Sequence, residues 1–273
     1  MSEEFLSGKA GKLFLRSFLP SVPPRAVIVI CHGVKSHSGQ YGWAGEKFAA
    51  AGFATYALDL RGRGKSDGKR LYADNVSEYV DDLSQVIGTA KSRHPGLPVF
   101  LLGHSAGGVV SCIYAFDHQS ELKGLICESF AFRVYAPKIA LAMIKGLSHI
   151  APNLPVLKLK TEDFSRDPVA TEAMRSDPLG TGSEAQPAAT VAALVRATER
   201  MEKEFPRITI PVFILHGTAD KATDPEGNKF FHQTAGSSDK TLKLYEGHYH
   251  DLLNDLGKEG VMADITGWIE KRM

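Results

Sequence analysis

The sequence predicts an α/β protein with a mainly parallel sheet, helices on both faces of the sheet and an inserted helical cap. Short runs that are apolar throughout and bounded by Gly or Pro are typical of strands covered on both faces. Stretches of helical periodicity separate these runs, and strands that alternate with helices form parallel sheets. The alternation stops between residues 131 and 206. We interpret this stretch as an insertion.

Seven segments are predicted to be strands, because each is short, mostly apolar and close to a turn residue. They are residues 12–18, 26–31, 54–60, 99–102, 124–127, 211–215 and 241–245. The first two segments are close together in the chain. We therefore expect them to pair as a hairpin and to make that edge of the sheet antiparallel.

Helices are predicted where apolar side chains recur at helical spacing and form one stripe. One stripe runs from Val76 to Ala90, and Asn75 is its expected N-cap because Glu78 follows three residues later. A second stripe lies in the insertion and consists of Val191, Leu194, Val195, Met201 and Phe205. A third stripe runs from residue 261 to residue 269 and consists of Val261, Ile265, Trp268 and Ile269.

Composition excludes several classes of protein. The 273 residues are 43% apolar and 23% charged, which is ordinary for a globular chain. The 32 basic and 31 acidic residues give a net charge of +1, so no general attraction to nucleic acid is expected. Three cysteines are too few for a disulfide framework, and we expect a reducing compartment, the cytoplasm. The acidic residues Glu3 and Glu4 argue against a secretory signal in the opening stretch.

One uncharged run, residues 97–116, approaches the length of a membrane-spanning helix. Three glycines, Gly103, Gly107 and Gly108, interrupt it. We interpret the run as a strand, a tight turn and a helix, and we expect no stable insertion into a membrane.

The turn in this run carries the strongest chemical signal. Residues 103–107 read Gly-His-Ser-Ala-Gly, a G-x-S-x-G motif that follows a predicted strand and precedes a helical run. Such a turn is strained and needs small neighbours, and it raises the hydroxyl above the strand ends. Ser105 is therefore the predicted nucleophile.

A serine nucleophile needs a base and an acid that orients the base, in the chain order Ser, acid, His for this architecture. Asp220 comes just after the predicted strand 211–215, with Asp224 as an alternative acid. The base is His250 or His248, because both follow the strand 241–245 and spacing alone does not choose between them. Glu128, after the strand 124–127, is a third candidate acid.

Two backbone N–H groups are predicted to form an oxyanion hole, which stabilises developing negative charge. One belongs to Ala106, directly after the nucleophile, and the other to Val34, in the turn after the strand 26–31. No third ligand stands near His248 and His250, so we expect no metal, and the chemistry needs no cofactor. An apolar segment of the insertion is predicted to line an acyl tunnel or lid, through Ile139, Met143, Leu147 and Ile150.

Several motifs resemble the α/β-hydrolase superfamily, and within it the monoacylglycerol lipase and lysophospholipase branch. The resemblance extends over most of the chain, and the matching stretches are residues 32–41, 59–66, 103–108, 176–179, 196–200, 216–221 and 245–250. It implies Ser105 as nucleophile, Asp220 as acid and His250 as base. It also implies oxyanion donors at Val34 and Ala106. The branch often has Met where Ala106 stands and a smaller residue where Val34 stands, which bears on chain-length preference.

The resemblance also implies an activity and a domain organisation. Residues 1–130 and 207–273 are expected to form the core, and residues 131–206 a cap over the site. The expected function is hydrolysis of a carboxylic ester with an acyl chain, most like a monoacylglycerol lipase, with transient membrane-surface contact through the cap. Alternatives are a broad carboxylesterase, a lysophospholipase, a serine aminopeptidase or a non-catalytic ligand-binding receptor. A complete Ser–Asp–His set argues against the receptor. No oligomeric state is predicted.

Overall fold

The structure is a computed structural model that describes residues 1–182 and 184–273. Its strands, in chain order, are β1 (Ser2–Gly8), β2 (Gly11–Phe18), β3 (Ala26–Cys31), β4 (Phe53–Leu58), β5 (Val99–His104), β6 (Gly124–Glu128), β7 (Pro155–Leu157), β8 (Gln186–Pro187), β9 (Val212–Gly217) and β10 (Lys240–Tyr245). Eight of them form one sheet in the order β1-β2-β4-β3-β5-β6-β9-β10. The strands from β4 to β10 in this order pair in parallel, which confirms the predicted fold class.

The predicted hairpin between the segments 12–18 and 26–31 is wrong. The antiparallel edge exists, but β2 pairs with β1 on one side and with β4 on the other, and β3 lies further inside the sheet. Strand β1 was not predicted from the sequence. Its side chains are exposed or half-buried, and the segment therefore has no apolar run. The link 19–25 holds three prolines, which lack the N–H that a strand pairing needs, and it carries the chain past β4.

The described residues form eight α-helices. They are α1 (Gly42–Ala50), α2 (Val76–Arg93), α3 (Ala106–His118), α4 (Lys138–Ile150), α5 (Pro168–Ser176), α6 (Ala188–Glu204), α7 (Pro225–Thr234) and α8 (Lys258–Glu270). The three predicted stripes lie on α2, α6 and α8, and the last residue of the second stripe, Phe205, follows α6 in a short 3-10 helix. The capping box of Asn75 and Glu78 begins α2 as predicted.

Both faces of the sheet are buried. Alternate residues of β3 point into two separate apolar clusters, with Val27 and Val29 in one and Ile28 and Ile30 in the other. Helices α2 and α3 cover the first cluster, and α1 and α8 cover the second. Burial on two faces is the reason why the strand segments are apolar throughout and do not alternate.

The stretch 131–206 lies between β6 and β9. It holds α4, α5, α6 and the small antiparallel pair of β7 and β8. Side chains near the end of α6, among them Ala197 and Met201, belong to the core cluster. Across residues 1–182 and 184–273, no helix has both the length and the apolarity to span a membrane, and the uncharged run 97–116 is divided between β5 and α3.

Candidate active site

Ser105 lies on the sharp turn between β5 and α3. Its backbone angles are φ 55° and ψ −121°, a region that residues with a Cβ rarely adopt and that costs about 1–3 kcal/mol. Two hydrogen bonds join this turn to β6 and the loop that follows it. The Ser105 N–H donates to the Glu128 carbonyl (2.9 Å), and the Ser105 carbonyl accepts from the Ala131 N–H (3.1 Å). The neighbouring strand therefore holds the strained turn in place.

Glycines on either side make this turn sterically possible. A Cβ on Gly107 would lie 2.0 Å from the carbonyl oxygen of Cys31, so the first turn of α3 packs directly on the end of β3. A Cβ on Gly103 would lie 2.5 Å from the Ser111 hydroxyl. These contacts are the physical reason for the small residues of the G-x-S-x-G motif.

The segments that carry the two predicted oxyanion donors both lie next to Ser105. Ala106 is the first residue of α3, so its N–H has no acceptor within the helix. Gly33, which precedes Val34, approaches Ser105 so closely that a Cβ at Gly33 would lie 3.0 Å from the Ser105 Cβ. Within residues 1–182 and 184–273, no acceptor takes the Val34 N–H.

His32 fixes the direction of the peptide that carries the Val34 N–H. Its Nδ1 lies 2.7 Å from the Gly33 carbonyl, and its Nε2 accepts the Leu60 N–H at 3.0 Å, so the ring proton resides on Nδ1. Burial lowers the pKa of His32 to about 4, and the ring is neutral at neutral pH. Because C=O and N–H of a trans peptide point in opposite directions, the Val34 N–H points away from the His32 ring.

Asp220 and His250 meet beyond the ends of β9 and β10. The Asp220 Oδ2 lies 2.8 Å from the His250 Nδ1, and both side chains are almost completely buried. The same oxygen also accepts from the Thr223 hydroxyl (2.8 Å) and lies 2.9 Å from the His216 Nε2. The other oxygen, Oδ1, accepts the N–H groups of Ala222 (2.7 Å) and Thr223 (3.0 Å).

These contacts keep Asp220 ionised. Burial acts to raise the pKa of the Asp220 carboxyl, but the charges and hydrogen bonds of His250 and His216 outweigh burial and hold this pKa well below its usual range. A carboxylate against Nδ1 keeps the ring proton on that nitrogen and leaves Nε2 as the basic atom. The His250 Nε2 is buried and makes no hydrogen bond with the described residues. The His250 ring packs against the ring of His104, the neighbour of Ser105, with 4.9 Å between ring centroids and 48° between ring planes.

The alternative acids and base lie in other settings. The Nδ1 of His248 lies 3.2 Å from the Glu246 carbonyl, and the His248 side chain makes no hydrogen bond with Asp220 or Asp224. Asp224 is the N-cap of α7 and accepts the Glu226 N–H. Glu128 ends β6, and its Oε1 accepts the Leu253 N–H at 3.1 Å instead of contacting His250.

Glu128 belongs to a buried group with His104 and Asp251 that sequence reasoning missed as a unit. Their donor atoms lie within 4.8 Å of one another, a spacing that a metal ion could bridge. Burial raises the pKa of Asp251 to about 6 and raises the pKa of Glu128 well above its usual range. Burial thus favours the neutral form of both carboxyl groups, and a protonated carboxyl is a poor cation ligand.

Other neighbours of the site were also missed. Phe164 comes from the insertion and packs edge-on against the His250 ring, with 4.9 Å between centroids. No local pattern marks such a contact between residues 86 positions apart. His216, by contrast, stands in the recognisable motif 216–221, four residues before Asp220.

The predicted acyl-contacting residues lie on α4, and three of them face solvent. Ile139 is 76% exposed, Met143 63% and Ile150 85%, whereas Leu147 is half-buried. None of the four lines the cavity of about 10 Å³ beside His104, to which the insertion contributes Phe164 and Met174. Helix α4 packs on α6, and Ile139, Met143 and Ile150 remain exposed.

The fold and the site together define a serine hydrolase with the α/β-hydrolase architecture. Residues 22–257 match the family model described as serine aminopeptidase, S33. The chain is 32% identical over 271 residues to a monoacylglycerol lipase of Mycolicibacterium smegmatis, and the match covers 98% of this chain and 96% of that protein. It is 32% identical over 266 residues to a monoglyceride lipase of Rattus norvegicus, with coverage of 96% and 88%.

The solved structures agree with the sequence matches. The crystal structure of Paleococcus ferrophilus monoacylglycerol lipase has a TM-score of 0.86 and 32% identity, and the match covers 96% of this chain and 99% of that one. The chain therefore belongs to the serine aminopeptidase S33 family of α/β hydrolases. Within that family it is a monoacylglycerol lipase-like carboxylic ester hydrolase.

Proposed function

We propose that the chain hydrolyses monoacylglycerols through an acyl-enzyme on Ser105. The observation that carries this proposal is the buried contact between Asp220 and His250 beside the strained turn of Ser105. The substrate class rests on the relatives, since proteins of Mycolicibacterium smegmatis and Rattus norvegicus at 32% identity are named for cleavage of this ester.

In the proposed reaction, the His250 Nε2 takes the Ser105 proton as the hydroxyl oxygen attacks the ester carbonyl. Asp220 holds the imidazole in the reactive tautomer and stabilises the imidazolium that forms. The N–H groups of Val34 and Ala106 donate to the oxyanion, and each contributes on the order of 3 kcal/mol to the transition state. His250 then returns the proton to the leaving glycerol oxygen. Water attacks the acyl-enzyme by the same route and releases the fatty acid.

The cap supplies the acyl side in this proposal. Residues 131–206 form the cap, and residues 1–130 and 207–273 form the core. A cavity of about 10 Å³ holds a single water molecule, so an acyl chain requires the cap to move. We assign the stripe Ile139, Met143, Leu147 and Ile150 to contact with the acyl chain or with a membrane surface during this movement. Three free, buried cysteines support a reducing compartment such as the cytoplasm.

The test uses purified protein and three substrate series: monoacylglycerols of increasing chain length, p-nitrophenyl esters and aminoacyl anilides. We expect turnover of the first two and none of the third. Ser105→Ala should bind substrate but lose turnover by as much as about a millionfold. A fluorophosphonate probe should label the natural protein and not this variant. Anilide cleavage without ester turnover would favour an aminopeptidase.

The cap's surface role has its own test. Ile139→Ser and Ile150→Ser should lower co-sedimentation with phosphatidylcholine vesicles while p-nitrophenyl butyrate turnover stays unchanged, because both side chains are exposed and outside the cavity. If the variant that carries both substitutions sediments with the vesicles as much as the natural protein does, membrane contact through α4 is contradicted.

A further inference from the structure

Arg63 lies in the loop after β4 and is 2% exposed, which makes it one of the largest fully buried side chains. Its Nη1 donates to the carbonyl of Val34, the residue whose N–H is the proposed oxyanion donor. Its Nη2 donates to the Gln186 Oε1 at 2.8 Å and lies 3.5 Å from the Tyr79 hydroxyl. The guanidinium therefore bridges the loop after β3 and the stretch 131–206.

In the described part of the chain, the Arg63 guanidinium does not contact a carboxylate. Among residues 1–182 and 184–273, no carboxylate oxygen lies within 4.0 Å of its nitrogens. Arg61, on the same loop, shows the usual arrangement, since it pairs with Asp82 at 2.7 Å and with Glu78 at 3.2 Å. A buried cation without a counter-ion is costly, and negative charge that forms nearby stabilises it. During ester hydrolysis, negative charge forms beside Val34.

Hydrogen bonds to the carbonyl groups of Gly33 and Val34 fix the backbone on both sides of the Val34 N–H. The Gly33 carbonyl accepts from the His32 ring and from the Ser36 N–H, which lies at 3.2 Å. The Val34 carbonyl accepts from Arg63 and from the Gln186 Nε2 at 3.3 Å. With both flanking peptides held, the Val34 N–H keeps one direction, and catalysis benefits from donors that need no reorganisation.

We propose that Arg63 is a positioning residue for the oxyanion hole: it holds the Val34 peptide in its donating orientation, lends positive charge to the oxyanion and, through Gln186, couples the hole to the cap. This inference rests on the proposed function only for the role of Val34. A role in positioning differs from a role in stability, because positioning affects the tetrahedral state more than the bound ester.

The experiment compares Arg63→Met, Arg63→Lys and Gln186→Leu with the natural protein. Kinetics use p-nitrophenyl butyrate, with active sites counted by fluorophosphonate titration, and inhibition uses butylboronic acid, which forms a tetrahedral anion on the serine. We expect R63M to lower kcat by about 100-fold with KM changed by less than about threefold, and to weaken boronate binding by the same factor as kcat. R63K should recover part of the loss, and Q186L should lower kcat by about tenfold.

Arg61→Lys is the matched control. It lies two residues away and pairs with acids on α2, so it should lower the melting temperature and leave kcat per active site within about twofold of the natural value. Unchanged kcat and boronate affinity in R63M would overturn the proposal. If R63M does not fold, unchanged values in both R63K and Q186L would overturn it. Failure to cleave monoacylglycerols while p-nitrophenyl butyrate is cleaved would refute the proposed substrate and leave the role of Arg63 standing.

Discussion

Replacing Asp220 with asparagine should prevent His250 from acting as a base, although the asparagine side chain has almost the same shape as the aspartate. The Asp220 Oδ1 accepts two backbone N–H groups, so the amide oxygen of an asparagine must take that position. The amide NH₂ would then face the His250 Nδ1 in place of Oδ2. To accept this donor, the imidazole must carry its proton on Nε2, and Nε2 can then no longer take a proton from Ser105.

The structure sets the size of this effect. His250 recovers its reactive tautomer only if the amide of the asparagine side chain flips by 180°. After this flip, the amide NH₂ would face the N–H groups of Ala222 and Thr223, which would lose their acceptor. A buried group without a partner costs about 1–3 kcal/mol, so the flip costs about 2–6 kcal/mol. At about 1.36 kcal/mol per tenfold change, this range corresponds to a loss in kcat of about 30-fold to about 3 × 10⁴-fold, which includes the loss of about 10⁴-fold caused by the same change in a serine protease triad.

The assay measures kcat with p-nitrophenyl butyrate, scaled by active-site titration, for Asp220→Asn and for the control Asp224→Asn. Asp224 caps α7 and does not contact the triad residues, so the control should retain kcat. A D220N variant that keeps more than a tenth of the natural kcat would refute the tautomer argument, and equal losses in both variants would indicate a general loss of folding.

The remaining predictions concern stability. Gly107→Ala should lower the free energy of unfolding in urea by more than about 2 kcal/mol, since its Cβ would overlap the Cys31 carbonyl, whereas Gly88→Ala, with open space on α2, should raise it by up to about 1 kcal/mol. Equal effects would contradict the packing argument. Asp251→Asn should stabilise the protein increasingly as pH rises. The folded-state pKa of Asp251 is raised from 3.8 to about 6, so its contribution is fully present below pH 3.8 and is lost as pH rises through about 6. The stability difference between the two proteins, measured in urea, should grow by about 2 kcal/mol between pH 4 and pH 7, and a difference independent of pH would refute a raised pKa of Asp251.

The sequence predicted the parts of the site that follow strands. Ser105, Asp220 and His250 each come within five residues of the end of a predicted strand, and the carboxyl ends of parallel strands meet at one edge of a sheet. Spacing could not choose between His248 and His250, because both lie beyond the end of β10, where side chains two positions apart do not have to share a face. In the structure, His250 contacts Asp220, whereas His248 lies beside the carbonyl of Glu246.

Contacts without a local pattern were beyond sequence reasoning. Arg63 and Gln186 are separated by 123 positions, and neither belongs to a periodic stripe. Strand β1 has no apolar run, because an edge strand buries little of its surface. The acyl-contact role of the stripe on α4 stays a prediction, because periodicity states which residues share a face and not what covers that face.

The contact between Arg63 and Gln186 bears on how the substrate preference of this enzyme could be changed. In the proposed mechanism, the triad and both oxyanion donors come from residues 1–130 and 207–273, whereas acyl contacts come from the cap. If the cap only shaped the acyl site, its substitutions would change KM and leave kcat alone. Gln186 breaks this separation, because it shares the Val34 carbonyl with Arg63. Substitutions on α4 should therefore alter chain-length preference at constant kcat, while any change that displaces β8 should lower kcat for every ester, including those with the shortest acyl chains.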